Sequence, residues 1–107
     1  MTIAPVLEQV VSGLKAYQPE KIILFGSMAR GDFDEYSDID LIVIKHTDTR
    51  FVRRLVEVAA FLPKDLAVDV LVYTPGEIQA MMEEGRPFIE QALSEGKVLY
   101  EKALGNG

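Results

Sequence analysis

The 107-residue chain has no cysteine and a single histidine, His46. Without thiols it carries no disulfide, no thiolate metal site and no cysteine nucleophile. Positive charge is also scarce: 11 Lys and Arg stand against 17 Asp and Glu, a formal net charge of −6. Clamping bare nucleic-acid phosphates needs a basic stripe, so the acidic balance argues against that class of function. A phosphate that meets this chain is expected to arrive with cations. No apolar run approaches the roughly 20 residues of a membrane span, and no secretory leader opens the chain. The expected location is therefore the cytoplasm. Internal repeats and low-complexity tracts are missing as well. What is present is 49% hydrophobic residues, too many for a disordered chain. The length suits one domain over residues 1–104, with a frayed end at Gly105-Asn106-Gly107.

Hydrophobic periodicity divides the chain into short elements. Ile3, Val6, Leu7, Val10, Val11 and Leu14 fall on helical spacing, with Thr2 as cap and Pro19 beyond the end. Lys21 to Phe25 is an apolar run that stops at Gly26 and reads as a buried strand. Residues 27–31 suit one helical turn, and residues 32–37 a polar loop. Asp38 to Ile44 is β-branched and reads as a second strand. Phe51, Leu55, Val58, Ala59 and Leu62 predict a helix stopped by Pro63, and Asp65 to Tyr73 a third strand. Thr74-Pro75-Gly76-Glu77 has the form of a helix start with a capping box. A short helix through Phe88, Ile89, Ala92 and Leu93 ends at Gly96, and Lys97 to Tyr100 reads as an edge strand. The predicted order is α-β-β-α-β-α-α-β, an α/β (α+β) domain around one small sheet.

Within that frame, carboxylates stand where a strand has least use for them. Asp38 and Asp40 are two residues apart, so on a strand they share a face about 6.6 Å apart and repel. A hard divalent cation such as Mg²⁺ takes carboxylate oxygens and leaves room for phosphate oxygens. The plainer alternative is a solvated strand end. Asp69 lies in the apolar run Ala67 to Val72, where an unpaired buried charge is costly. It either joins the same cation from a neighbouring strand, or faces water at an edge, or pairs with Lys64 or an arginine. Gly26-Ser27 follows the first strand directly. Glycine lets a phosphate approach the backbone, Ser27 offers a hydroxyl and an N–H, and Arg30 lies one turn on as a charged donor.

Other candidates read more plainly. Asp32, Asp34 and Glu35 suit a solvated loop, His46 a surface position, and Arg53 and Arg54 a solvent-facing helix side. Met81 and Met82, with Ile78, look like packing residues, and Phe33 and Tyr36 are placed to stack on a base. Residues 32–40 hold five of the 17 acids and no base, so the negative charge is concentrated around the proposed site.

Taken together, Gly26-Ser27-Met28-Ala29-Arg30-Gly31, then Ser37-Asp38-Ile39-Asp40-Leu41, then Asp69, resemble the DNA polymerase β-type nucleotidyltransferase superfamily. The short length resembles its minimal nucleotidyltransferase branch, often paired with HEPN-domain proteins as the antitoxin of a toxin–antitoxin module. The resemblance covers about residues 20–75 and implies a mixed sheet flanked by helices. By the same resemblance Gly26, Ser27, Arg30 and Ser37 bind the nucleotide, Asp38 and Asp40 hold two Mg²⁺ ions, and Asp69 is a further metal ligand or base. The implied reaction moves a nucleoside monophosphate, AMP from ATP, onto a hydroxyl. The implied acceptor is a tyrosine of a HEPN partner. Two alternatives stay open: an antitoxin that works by binding alone, and an adenylyltransferase of small molecules. Base specificity, acceptor and oligomeric state are left undetermined by the sequence.

Overall fold

The structure is a computed structural model describing residues 4–31 and 38–102. Its elements are α1 (Ala4–Lys15), β1 (Lys21–Phe25), α2 (Ser27–Arg30), β2 (Ile39–Ile44), α3 (Phe51–Ala59), β3 (Val68–Tyr73), α4 (Pro75–Glu83), α5 (Pro87–Glu95) and β4 (Lys97–Glu101). The order matches the one expected, with the helical turn after β1 appearing as α2. Thr2 and Ile3, the loop at 32–37 and the tail at 105–107 lie outside the described residues.

Four strands form one mixed sheet in the order β3-β2-β1-β4. β1 is antiparallel to β2 and β4, while β2 and β3 are parallel. A parallel pair needs a crossover, which α3 provides. Alternation along the strands sends side chains to two faces. On one face Ile22, Leu24, Leu41, Val43 and Val72 are buried with Val10 and Leu14 of α1 and Val58 of α3. On the other, Ile23 and Ile42 meet Ile89 and Ala92 of α5, with Ile78 and Met81 of α4 packed against them. β1 and β2 are covered on both sides, which is why they read as unbroken apolar runs. Among the described helices none is long and apolar enough to cross a membrane.

β4 and α2 each differ by one residue from expectation, ending at Glu101 and Arg30, and three further boundaries differ for identifiable reasons. β3 begins at Val68, not Asp65, because its ladder starts where β2 starts: Ile39 pairs with Val68. β2 in turn begins at Ile39, leaving Asp38 one residue ahead of the strand. α3 ends at Ala59, and the N–H groups of Phe61 and Leu62 instead bond three residues back, a tighter turn ahead of Pro63. After α1 the chain passes through Gln18 at φ 62, a left-handed conformation that costs a non-glycine residue roughly 1–2 kcal/mol.

Arg54 corrects the sequence reading. Arg53 is exposed as expected, but Arg54 is only 5% exposed. Its Nε donates to the Thr49 carbonyl at 2.7 Å and its Nη1 to the Val72 carbonyl at 3.1 Å. The two Nη groups also donate to the two carboxylate oxygens of Glu77, at 2.7 and 3.1 Å. Glu77 serves α4 at the same time: the Thr74 hydroxyl accepts from the Glu77 N–H and Glu77 Oε1 accepts from the Thr74 N–H. One carboxylate thus closes the predicted capping box and neutralises a buried guanidinium. His46 is exposed, as predicted; Met81 packs on the second core, while Met82 is 42% exposed.

Candidate active site

Strand pairing assembles the site from three separate segments. The antiparallel register sets Phe25, the last residue of β1, opposite Asp40 near the start of β2. The parallel register sets Asp40 opposite Asp69 of β3. Gly26 follows Phe25, and Asp38 lies two residues before Asp40. Gly26, Asp38, Asp40 and Asp69 therefore collect at one end of the sheet. Ile39 and Leu41 enter the α1/α3 core and Ile42 the α4/α5 core, so by alternation Asp40 faces the α4/α5 side.

Asp40 is the carboxylate that the others perturb. Asp40 is half-buried, and its carboxyl is pushed above the ordinary 3.8, first by burial, then by the charges of Asp69 and Asp38. Asp69, however, does not sit in the interior as its apolar neighbours suggested. β3 is an edge strand, and Asp69 is exposed. The cost of burying a lone charge therefore does not apply to it; its register with Asp40 does.

Among the described residues, no three Asp, Glu, His or Cys side chains already close around a metal-sized point. The donor set nevertheless fits a hard cation. Mg²⁺ is held by one or two carboxylates and completes its shell with water and substrate phosphates rather than with a full protein cage. A carboxylate raised by burial and then by two like charges is also a group that a cation would relieve.

The turn after β1 explains its glycine. Gly26 has φ 76 and ψ −157, and a Cβ built there would collide with Oδ2 of Asp40. The turn backbone thus lies directly against the Asp40 carboxylate, a spacing only glycine permits. Gly26→Ala is expected to cost roughly 1–3 kcal/mol from a positive-φ, extended backbone that only glycine adopts readily. It should also displace Asp40, lowering activity further than the loss of stability explains. Denaturant unfolding and a transfer assay on the same sample would check both.

Ser27 opens α2, which lasts four residues and ends at Gly31, itself left-handed at φ 83. Arg30 reaches α5, with Nη1 3.6 Å from Oε1 of Glu95. Both side chains are about 40% exposed, so water screens this pair strongly. Ser37, Phe33, Tyr36, Asp32, Asp34 and Glu35 lie outside the described residues.

A cavity of about 200 Å³ next to this turn was not foreseen. Phe25, Gly26, Arg30, Phe88, Gln91 and Glu95 line it. Phe25 and Phe88 meet edge to face, centroids 5.6 Å apart, and Phe88 is 47% exposed. Aromatic walls beside a polar rim suit a flat ring. The available signal was Phe88 itself, an aromatic in the exposed first turn of a helix; its proximity to Phe25 depends on how α5 docks.

Comparison with known proteins follows the same lines. Residues 8–103 match the family described as Polymerase beta, Nucleotidyltransferase. Two proteins of Methanocaldococcus jannaschii, each named "Putative protein adenylyltransferase", are similar in sequence. One is 32% identical over 88% of this chain and 94% of its own length. The other is 38% identical over 50% of this chain and 59% of its own. Among solved structures, a "putative nucleotidyltransferase" from Sulfolobus solfataricus superposes with TM-score 0.61 at 22% identity, over 92% of this chain and 78% of that one. A toxin–antitoxin structure with AMP-PNP gives 0.59 at 21% identity, over 90% and 73%. A mutant of the toxin–antitoxin MntA-HpeT gives 0.55 at 20%, over 96% and 76%. At these identities the structural likeness speaks for the fold. The family match and the sequence relatives carry the assignment: this chain belongs to the polymerase β nucleotidyltransferase family and is a nucleotidyltransferase.

Proposed function

We propose that the chain transfers AMP from ATP, with Mg²⁺, to a tyrosine hydroxyl of a HEPN-domain toxin, and acts in the cytoplasm as the matching antitoxin. The observation that carries this reading is the cross-strand register of Asp40 with Asp69 beside the Gly26 turn. Relatives named as protein adenylyltransferases and a toxin–antitoxin neighbour with AMP-PNP support the donor and the kind of partner.

Asp38 and Asp40 would hold the cation, which supplies charge neutralisation at the phosphates when bound. Gly26 lets the phosphates come close to the backbone, and the Ser27 hydroxyl and N–H donate to them. Arg30 exchanges its screened contact with Glu95 for a phosphate oxygen, a stronger charge-assisted bond. Phe25 and Phe88 offer the base a flat apolar wall. The acceptor oxygen then bonds to the α-phosphorus, the bond to the bridging oxygen breaks, and diphosphate leaves. Asp69, exposed and level with Asp40, takes the acceptor proton.

The test uses ATP labelled on the α-phosphate, Mg²⁺, the chain and the product of the adjoining reading frame. Label is expected on a tyrosine of the partner with the wild type and not with Asp38→Asn/Asp40→Asn. Equal labelling by both proteins, or none by either, sinks the enzymatic reading. A second reading, neutralisation by covering the toxin, is favoured by the exposed Met82 and Phe88. It predicts that the double variant still protects against the toxin.

A further inference from the structure

The end of the sheet away from the acids carries the opposite charge. Lys45 follows β2 five residues after Asp40, about 16 Å along an extended strand. There the end of α1, the end of β2 and the end of β4 enclose a concave pocket of about 390 Å³. It is lined by Lys15, Gln18, Lys45, His46, Tyr100 and Lys102, with Glu20 as the single carboxylate. In a chain of net charge −6, three lysines and the single histidine line one cavity.

Their present partners leave donors to spare. Lys45 Nζ donates to the Tyr17 carbonyl at 2.6 Å and sits 4.5 Å from the centre of the Tyr17 ring. An ammonium has three donors, so two remain. Lys15 Nζ rests 5.4 Å from the centre of the Tyr100 ring. Neither has a carboxylate within ion-pair range among the described residues. Lys102 lies 3.7 Å from Oε2 of Glu20, a long contact between an exposed lysine and a half-buried glutamate.

A separate observation concerns Gln18. It holds φ 62 just after α1, where helices commonly place glycine or asparagine because other residues are strained. Strain of this kind concentrates where a side chain has a task. Gln18 lines the pocket.

We propose that this pocket binds a compact phosphate-bearing anion of diphosphate size, separately from the acidic site. The lysine ammonium groups supply point-charge recognition, and Gln18 and His46 add further hydrogen-bonding groups.

His46 reports on the pocket because it is the only histidine. Its ring resonances are followed while the full chain is titrated with diphosphate in metal-free buffer, so that the acids have no cation to present. A saturable shift is expected, and the same shift in Asp38→Asn/Asp40→Asn. Lys15→Gln/Lys102→Gln should bind about ten-fold more weakly or worse, with an unchanged melting temperature. Gln18→Gly should bind several-fold more weakly and yet melt higher, a combination that a purely structural role for Gln18 does not produce. The proposal is overturned if His46 does not respond up to about 10 mM diphosphate. It is equally overturned if the lysine variant or Gln18→Gly binds as well as the wild type, or if a single-stranded RNA oligomer binds more tightly than diphosphate.

Discussion

Asp40→Asn is expected to lower nucleotidyl transfer by roughly 10³-fold or more and to raise the melting temperature. The rate effect follows from the site's charge. Stabilising phosphate charge with a bound cation is worth several kcal/mol, and each 1.36 kcal/mol is tenfold in rate. Asn keeps the size of Asp but removes the negative oxygen that a cation needs. The stability effect has the opposite sign because Asp40 and Asp69 are like charges directly opposite on neighbouring strands. Such pairs are destabilising by up to about 1 kcal/mol, and Asp40 is in addition half-buried with Asp38 close by. Relief of that repulsion should appear as an increase of a few degrees, roughly 2–5 °C for a domain of this size. Calorimetry without divalent cations and a transfer assay with them measure the two effects separately. Loss of activity together with a lower melting temperature would instead make Asp40 a structural residue and remove it from the chemistry. Asp69→Asn should show a smaller gain of the same sign, since it relieves the cross-strand repulsion but not the burial of Asp40 or its repulsion from Asp38.

The parts of this site that were legible in the sequence are the local ones. Phe25-Gly26-Ser27 and Asp38-Ile39-Asp40 are short strings whose strand-then-turn and alternating patterns carry their own geometry. The Thr74 capping box was legible for the same reason: four adjacent residues contain both hydrogen bonds. Asp69 falls on the strand expected, but which of its open alternatives holds depends on sheet order, and only the assembled sheet makes β3 an edge and leaves Asp69 exposed. Arg54 was misread although a signal existed. It lies three residues after Phe51 and four before Val58, on the buried stripe, whereas Arg53 is turned about 100° away. Its partner Glu77 is 23 residues distant and was already occupied by the capping box in the sequence reading. The Phe25–Phe88 cavity and the basic pocket were invisible for the same physical reason: each is enclosed by elements that meet only when the chain folds.

Glu77→Ala should be strongly destabilising, and more damaging than replacing its partner. Removing Glu77 leaves the guanidinium of Arg54, 6% exposed on its side chain, without its counter-charge. Stranding a buried charge costs about 3–5 kcal/mol, a large share of the roughly 5–15 kcal/mol that holds a domain together. The melting temperature should fall by at least about 12 °C. Arg54→Met instead removes the buried charge, fills the space with an apolar side chain and leaves a carboxylate that is 41% exposed to water. Its expected cost is under about 2 kcal/mol, mainly lost hydrogen bonds. The double variant should therefore be more stable than Glu77→Ala alone. Acid provides a second view of the same pair. Glu77 is held below its ordinary 4.5, first by the hydrogen bond from Arg54. A carboxylate whose pKa is lower folded than unfolded stabilises the protein above the unfolded value and loses that contribution as pH falls through the folded one. Wild-type stability should accordingly drop more steeply below pH 4.5 than that of Arg54→Met/Glu77→Ala. Parallel acid profiles for the two proteins, or a Glu77→Ala variant that melts no lower than Arg54→Met, would show that the pair does not bind α3, β3 and α4 together.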